Sequence, residues 1–153
     1  MKSGYKYMLI YDKIPTKRTA YNFKDKFRRI GTVANIMIVD DSRVSRKVLR
    51  NSLEVLGYTV VAEAGSGNEA LKLYDECKPD LVTMDITMPG MDGFECLSQI
   101  MQKDPSAKVI MITASATSEK IVRALKYGSV DYIIKPFDDE TLKSAIDKHL
   151  SKG

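Results

Sequence analysis

From Asn35 onward the chain alternates, five times over, between a short apolar run and a segment whose apolar residues recur every three or four positions. The runs are Ile36-Met37-Ile38-Val39, Tyr58-Thr59-Val60-Val61, Leu81-Val82-Thr83-Met84, Val109-Ile110-Met111-Ile112 and Tyr132-Ile133-Ile134. They are too short for helices and largely β-branched, which suits strands buried on both faces. Between them, Val44, Val48, Leu49, Leu53 and Leu56 keep helical spacing and stop at Gly57. Ser66 and Glu69 form a capping box before Ala70, Leu71, Leu73 and Tyr74, and Phe94, Leu97, Ile100 and Met101 make a third stripe. Ser118 is positioned to cap a fourth helix carrying Ile121, Val122 and Leu125, ending at Gly128. Asp138 or Asp139 caps the last, with Leu142, Ala145, Ile146 and Leu150 on one face. Five strands alternating with five helices predict an α/β fold, a doubly wound parallel sheet covered on both sides.

Residues 1–32 stand outside this alternation. They hold nine Lys/Arg against two Asp, a net +7, whereas residues 33–153 hold fifteen Lys/Arg against eighteen Asp/Glu, a net −3. The overall +4 therefore reflects an extension rather than a basic folded face, which argues against nucleic-acid binding by the main domain. The extension reads either as a poorly ordered tail or as sequence ahead of a native start at Val33. A third option is that its basic residues, with Tyr5, Tyr7, Tyr11 and Tyr21, bind an acidic surface. The apolar run Tyr7–Tyr11 ends at Asp12, too short for a signal peptide, and no stretch approaches a membrane span. Cys77, Cys96 and the sole histidine, His149, offer no zinc spacing, so both cysteines are expected to be core or boundary residues in a reducing, cytoplasmic setting.

The informative polar residues fall where the predicted strands end. Asp40 and Asp41 follow the first, Asp85 the third, Thr113 the fourth and Lys135 the fifth. In an open α/β sheet this edge is where ligands bind, so residues distant in sequence converge. Singly, each has an ordinary explanation as a helix cap or a turn. Together they make a phosphoryl-transfer set. Three converging carboxylates need a cation, and a hard divalent ion such as Mg²⁺ favours carboxylate, water and phosphate oxygens. A carboxylate can attack phosphorus, and the charge on the transferring group needs a metal, an ammonium and hydroxyl or amide donors. Lys135, Thr113 and the Ala114 backbone N–H can supply the last three. Lys135-Pro136 also invites a cis peptide.

The runs Ile36–Ser42 (IMIVDDS) and Pro79–Gly93 (PDLVTMDITMPGMDG), with Thr113-Ala114 and Lys135-Pro136-Phe137, resemble the receiver domain of two-component response regulators, especially its stand-alone CheY-like chemotaxis type. The resemblance spans residues 33–153. It implies the flavodoxin-like strand order 2-1-3-4-5, which the periodicity alone does not give. It implies Asp85 as phosphoacceptor, Asp41 as a direct Mg²⁺ ligand, Asp40 as a ligand through water, and the Thr87 carbonyl as the remaining protein ligand. Lys135 would pair with the phosphoryl group, the Ala114 N–H would donate to it, and Thr113 and Tyr132 would move together as the switch. The residues two after the acceptor and two after Thr113, Thr87 and Ser115, are short and neutral, so they do not reveal the lifetime of the acyl phosphate.

The resulting expectation is a switch rather than an enzyme. It would accept a phosphoryl group from a sensor histidine kinase, assist its own phosphorylation and dephosphorylation, and bind a downstream partner through the face of the fourth helix, fifth strand and fifth helix. The chain ends at Gly153, which leaves no room for a DNA-binding output domain. The same site would also serve a phosphorelay intermediate that passes the group to a second histidine protein. A dehalogenase-like phosphatase needs a second Asp two residues after its nucleophile, where this chain has Thr87, and no P-loop motif is present.

Overall fold

The computed structural model describes residues 33–150; the readings made above for residues 1–32 and 151–153 lie outside them. The order of elements is β1 (Asn35–Val39), α1 (Arg43–Val55), β2 (Thr59–Ala64), α2 (Gly67–Cys77), β3 (Leu81–Met84), α3 (Gly93–Lys103), β4 (Val109–Thr113), α4 (Ser118–Lys126), β5 (Asp131–Ile134) and α5 (Asp139–Leu150). All strand pairs are parallel, in the order β2-β1-β3-β4-β5.

The pleat divides the core. Met37, Val39, Val82, Met84, Val109 and Met111 pack on one side with Phe94, Leu97 and Ile100 of α3, Ala70 and Tyr74 of α2, and Ala124 of α4. Ile36, Ile38, Leu81, Ile110, Ile112 and Ile133 pack on the other with Leu49 and Leu53 of α1 and Leu142 and Ile146 of α5. Central strands buried on both faces explain why those runs show no polar alternation. The chain leaves β1 toward β2 on one side and then returns to β3 on the other. The direction of strand order therefore reverses between β1 and β3, and ligands of such sheets bind beyond the carboxyl ends of the strands at that point.

Several local expectations hold. Gly57 and Gly128 follow the ends of α1 and α4 with positive φ. Ser66 accepts from Glu69 N, and Glu69 Oε2 accepts in return from Gly65 N at 2.7 Å, a capping box reaching one residue further back than usual. Asp138 Oδ1 accepts from Thr141 N at the start of α5.

Others shift. The second strand runs Thr59–Ala64, later than the apolar run that marked it, because Glu63 is accommodated by ion pairing with Arg50. Thr117 rather than Ser118 caps α4, accepting from Lys120 N. Val44, Val48, Val122 and Leu125 are exposed rather than packed on the sheet. At about 100° per residue, Val48 lies a quarter-turn or more away from the Leu49–Leu53 line that faces the core, and Val122 and Leu125 lie similarly off the Ala124 side. Cys96 is buried, with burial pushing its thiol up to about 12, and Cys77 is half-buried.

Candidate functional site

Each polar residue anticipated at a strand end sits at the carboxyl edge of the sheet. Asp40 follows β1 and Asp85 follows β3, the two neighbours at the switch point, and backbone ladder bonds fix both. Asp40 N donates to Ala64 O at 3.0 Å and Asp85 N to Val39 O at 2.8 Å. Lys135 follows β5, and its N–H donates to Thr113 O at 2.8 Å, which ties the ends of β4 and β5 together. Lys135–Pro136 is cis.

The side chains converge. Carboxylate oxygens of Asp40, Asp41 and Asp85 lie within 4.8 Å of one another. Lys135 Nζ is 2.8 Å from Asp40 Oδ2 and 3.9 Å from Asp85 Oδ2. Asp40 is buried, and its other oxygen accepts from Ser42 N at 2.8 Å. Burial drives the Asp85 pKa above the ordinary carboxylate value, and the Asp40 and Asp41 charges add to that. Lys135 and the Thr87 backbone N–H oppose the rise without cancelling it. One ammonium among three carboxylates leaves a net negative, all-oxygen site, which fits a hard divalent cation.

Thr113 is buried at the end of β4. Its hydroxyl is engaged within its own loop, donating to Ser115 O and accepting from Ser115 N, both at 3.2 Å. Ala114 is exposed beside it. Tyr132 is half-buried in β5 and packs against the core on the α2–α4 side. Thr87 is exposed in the loop after Asp85.

Three contacts at the site were not anticipated from the sequence. Arg46 of α1 donates to Asp40 O at 2.6 Å and so clamps the β1–α1 turn; basic residues on exposed helices are too common to signal such a contact. Gly93 opens α3 so close to the acceptor loop that an added Cβ would lie 2.1 Å from Asp85 O. Its visible mark was a glycine in the first helical position after the Asp92 cap, where a better helix former is usual. Ser115, considered only for its size, is the hydrogen-bond partner of Thr113. Among the described residues no helix is long and apolar enough to cross a membrane.

Comparison with known proteins agrees with this fold. The family described as "Response regulator receiver domain" matches residues 36–147. The chemotaxis protein CheY of Listeria monocytogenes is 50% identical over 113 residues, covering 74% of this chain and 95% of that protein. CheY of Bacillus subtilis is 43% identical over 116 residues, 76% and 97% of the two chains. A chain of the CheX–CheY–BeF3–Mg²⁺ complex from Borrelia burgdorferi superposes with a TM-score of 0.73 at 37% identity, covering 75% of this chain and 87% of that one. With its five-stranded 2-1-3-4-5 sheet and CheY relatives at this level of identity, the chain belongs to the response regulator receiver domain family and is a CheY-like receiver.

Proposed function

We propose that this receiver takes a phosphoryl group on Asp85 from a sensor histidine kinase, in a Mg²⁺-dependent step, and uses it to change its affinity for a protein partner. The observation that carries the proposal is the trio Asp40, Asp41 and Asp85, with Lys135 Nζ 3.9 Å from Asp85, on the sheet edge where strand order reverses. Asp41, Asp85 and the Thr87 carbonyl would hold the ion, with Asp40 acting through water. When bound, Mg²⁺ would neutralise charge on the carboxylates and on the phosphoryl oxygens. The resemblance of a 37%-identical chain crystallised with BeF3 and Mg²⁺ supports this reading.

The chain's own residues divide the remaining work. An Asp85 carboxylate oxygen attacks phosphorus while the donor's leaving group departs in line. Lys135, already beside Asp85, offers its ammonium to the phosphoryl oxygens, and the Ala114 N–H and Thr113 hydroxyl donate to them. As Thr113 turns inward, Tyr132 moves into the space it leaves. Phosphorylation thereby favours one of two packings at the α4–β5–α5 face, where Val122, Leu125, Tyr127 and Ile134 are exposed. Water attack on the acyl phosphate resets the switch.

The test is incubation with Mg²⁺ and a small phosphodonor, read by intact mass. Wild type should gain one base-labile phosphoryl group, and Asp85→Asn none. Equal labelling of the two would overturn the assignment. Transfer of the group to a second histidine protein would identify a relay role, and catalytic turnover of generic phosphate esters would identify a phosphatase.

A further inference from the structure

We infer that Ser115 and Lys120 are positioning residues that hold the Thr113 hydroxyl in its resting orientation and thereby set how tightly the site accepts a phosphoryl group. The inference rests on the function proposed above and adds a restraint on the side chain that must move.

Both hydrogen-bonding capacities of the Thr113 hydroxyl are used by Ser115, one through its carbonyl and one through its N–H. Turning toward Asp85 requires the hydroxyl to give up both. Ser115 lies in an exposed loop, where such bonds compete with water and a backbone free to drift would hold Thr113 weakly. It is anchored from its other side. Lys120 Nζ donates to Ser115 Oγ at 3.2 Å, and the Lys120 backbone is itself fixed, since its N–H donates to the Thr117 cap at 3.3 Å. Lys120 occupies the third position of α4, where the exposed N–H groups of the helix end disfavour a cation. Its hydrogen bond to Ser115 joins α4 to the β4–α4 loop. The chain of contacts thus runs from Thr113 through Ser115 to the first turn of α4, a helix of the proposed partner face.

The restraint belongs to the resting arrangement, so cutting it should favour the phosphoryl-bound one. Beryllofluoride, a phosphoryl mimic, would be titrated in the presence of Mg²⁺ into the full chain and into Ser115→Ala, Lys120→Met and the double variant. Each single change should tighten beryllofluoride binding about two- to fivefold, the low end of what one hydrogen bond contributes. The double variant should gain no more than either single, because both remove the same contact. Lys120→Arg, which keeps a donor, should stay near wild type. Mg²⁺ affinity without beryllofluoride should be unchanged in all of them, a result that general loosening of the site would not give. Variants that bind as wild type does, bind more weakly, or show additive gains would overturn the inference while leaving Asp85 as acceptor. Failure of wild type to bind beryllofluoride at all would overturn both readings.

Discussion

The two ends of the sheet surround aspartate differently. At the amino edge every aspartate that begins or flanks a strand is matched by donors. Asp80 Oδ2 accepts from Asn35 N at 2.7 Å, Asp104 from Tyr74 Oη and Ser106, and Asp147 from Tyr58 Oη and Lys143. Asp131 accepts from Tyr132 N and pairs with His149 and Lys148. Burial pushes Asp131 and Asp147 upward, yet these partners outweigh it and hold both below the ordinary carboxylate range. Asp104 is lowered chiefly by Ser106 and Tyr74. At the carboxyl edge the balance is reversed, and Asp85 is raised. Carboxylates that stabilise a fold are surrounded by donors. Asp85 instead sits half-buried among two further carboxylates, with Lys135 Nζ 3.9 Å away, and its partners do not offset its burial.

That contrast can be broken or sharpened by substitution, and the largest effect should be on the switch. Phosphorylation should raise partner affinity by about 5–150-fold, the usual span of allosteric coupling. Thr113→Ala should still accept phosphate but lose most of that gain, as measured by partner titration against both phosphorylated proteins. Equal gains would leave Thr113 a phosphoryl ligand without a role in transmission. Next in size, Asp41→Ala should weaken Mg²⁺ binding on the order of tenfold or more, since a direct anionic ligand is lost to an ion that dehydrates reluctantly. Unchanged affinity in a Mg²⁺ titration would place the ion elsewhere.

Stability should then move in opposite directions at the two edges. Asp85→Asn removes a crowded charge and should stabilise the metal-free protein by about 1–2 kcal/mol in denaturant unfolding at neutral pH. A raised folded pKa means that the native state takes up a proton first. Metal-free wild type should therefore gain stability from Asp85 as pH falls through its folded pKa toward the unfolded value near 3.8, and Asp85→Asn should lose that slope. Asp131→Asn should instead cost about 1 kcal/mol, with phosphorylation intact. Its folded pKa is depressed, so this contribution is present above the unfolded value near 3.8 and lost as pH falls through the folded one. Destabilisation by Asp85→Asn, or no cost from Asp131→Asn, would erase the distinction between the edges.

The central strands were legible because burial on both faces demands continuous β-branched and other apolar runs, and the strand-end residues Asp40, Asp85, Thr113 and Lys135 followed from topology. Helix faces were less legible. Val44 and Val48 share helical spacing with Leu49 and Leu53, yet only the latter pair reaches the sheet, and periodicity does not say where an apolar stripe stops. Contacts that depend on three-dimensional approach left little trace. Arg46 on the Asp40 carbonyl, Gly93 against the Asp85 carbonyl and Lys120 on Ser115 join elements whose spacing no local pattern records.

The central claim is that, of three carboxylates within 4.8 Å, Asp85 is the one that reacts. Reductive trapping tests it directly. After phosphorylation with Mg²⁺ and a small phosphodonor, borohydride reduction converts the acyl phosphate to homoserine, and peptide mapping locates it. The account predicts homoserine at position 85 and intact aspartate at Asp40 and Asp41. Homoserine at position 40 or 41, with Asp85 unchanged, would contradict it.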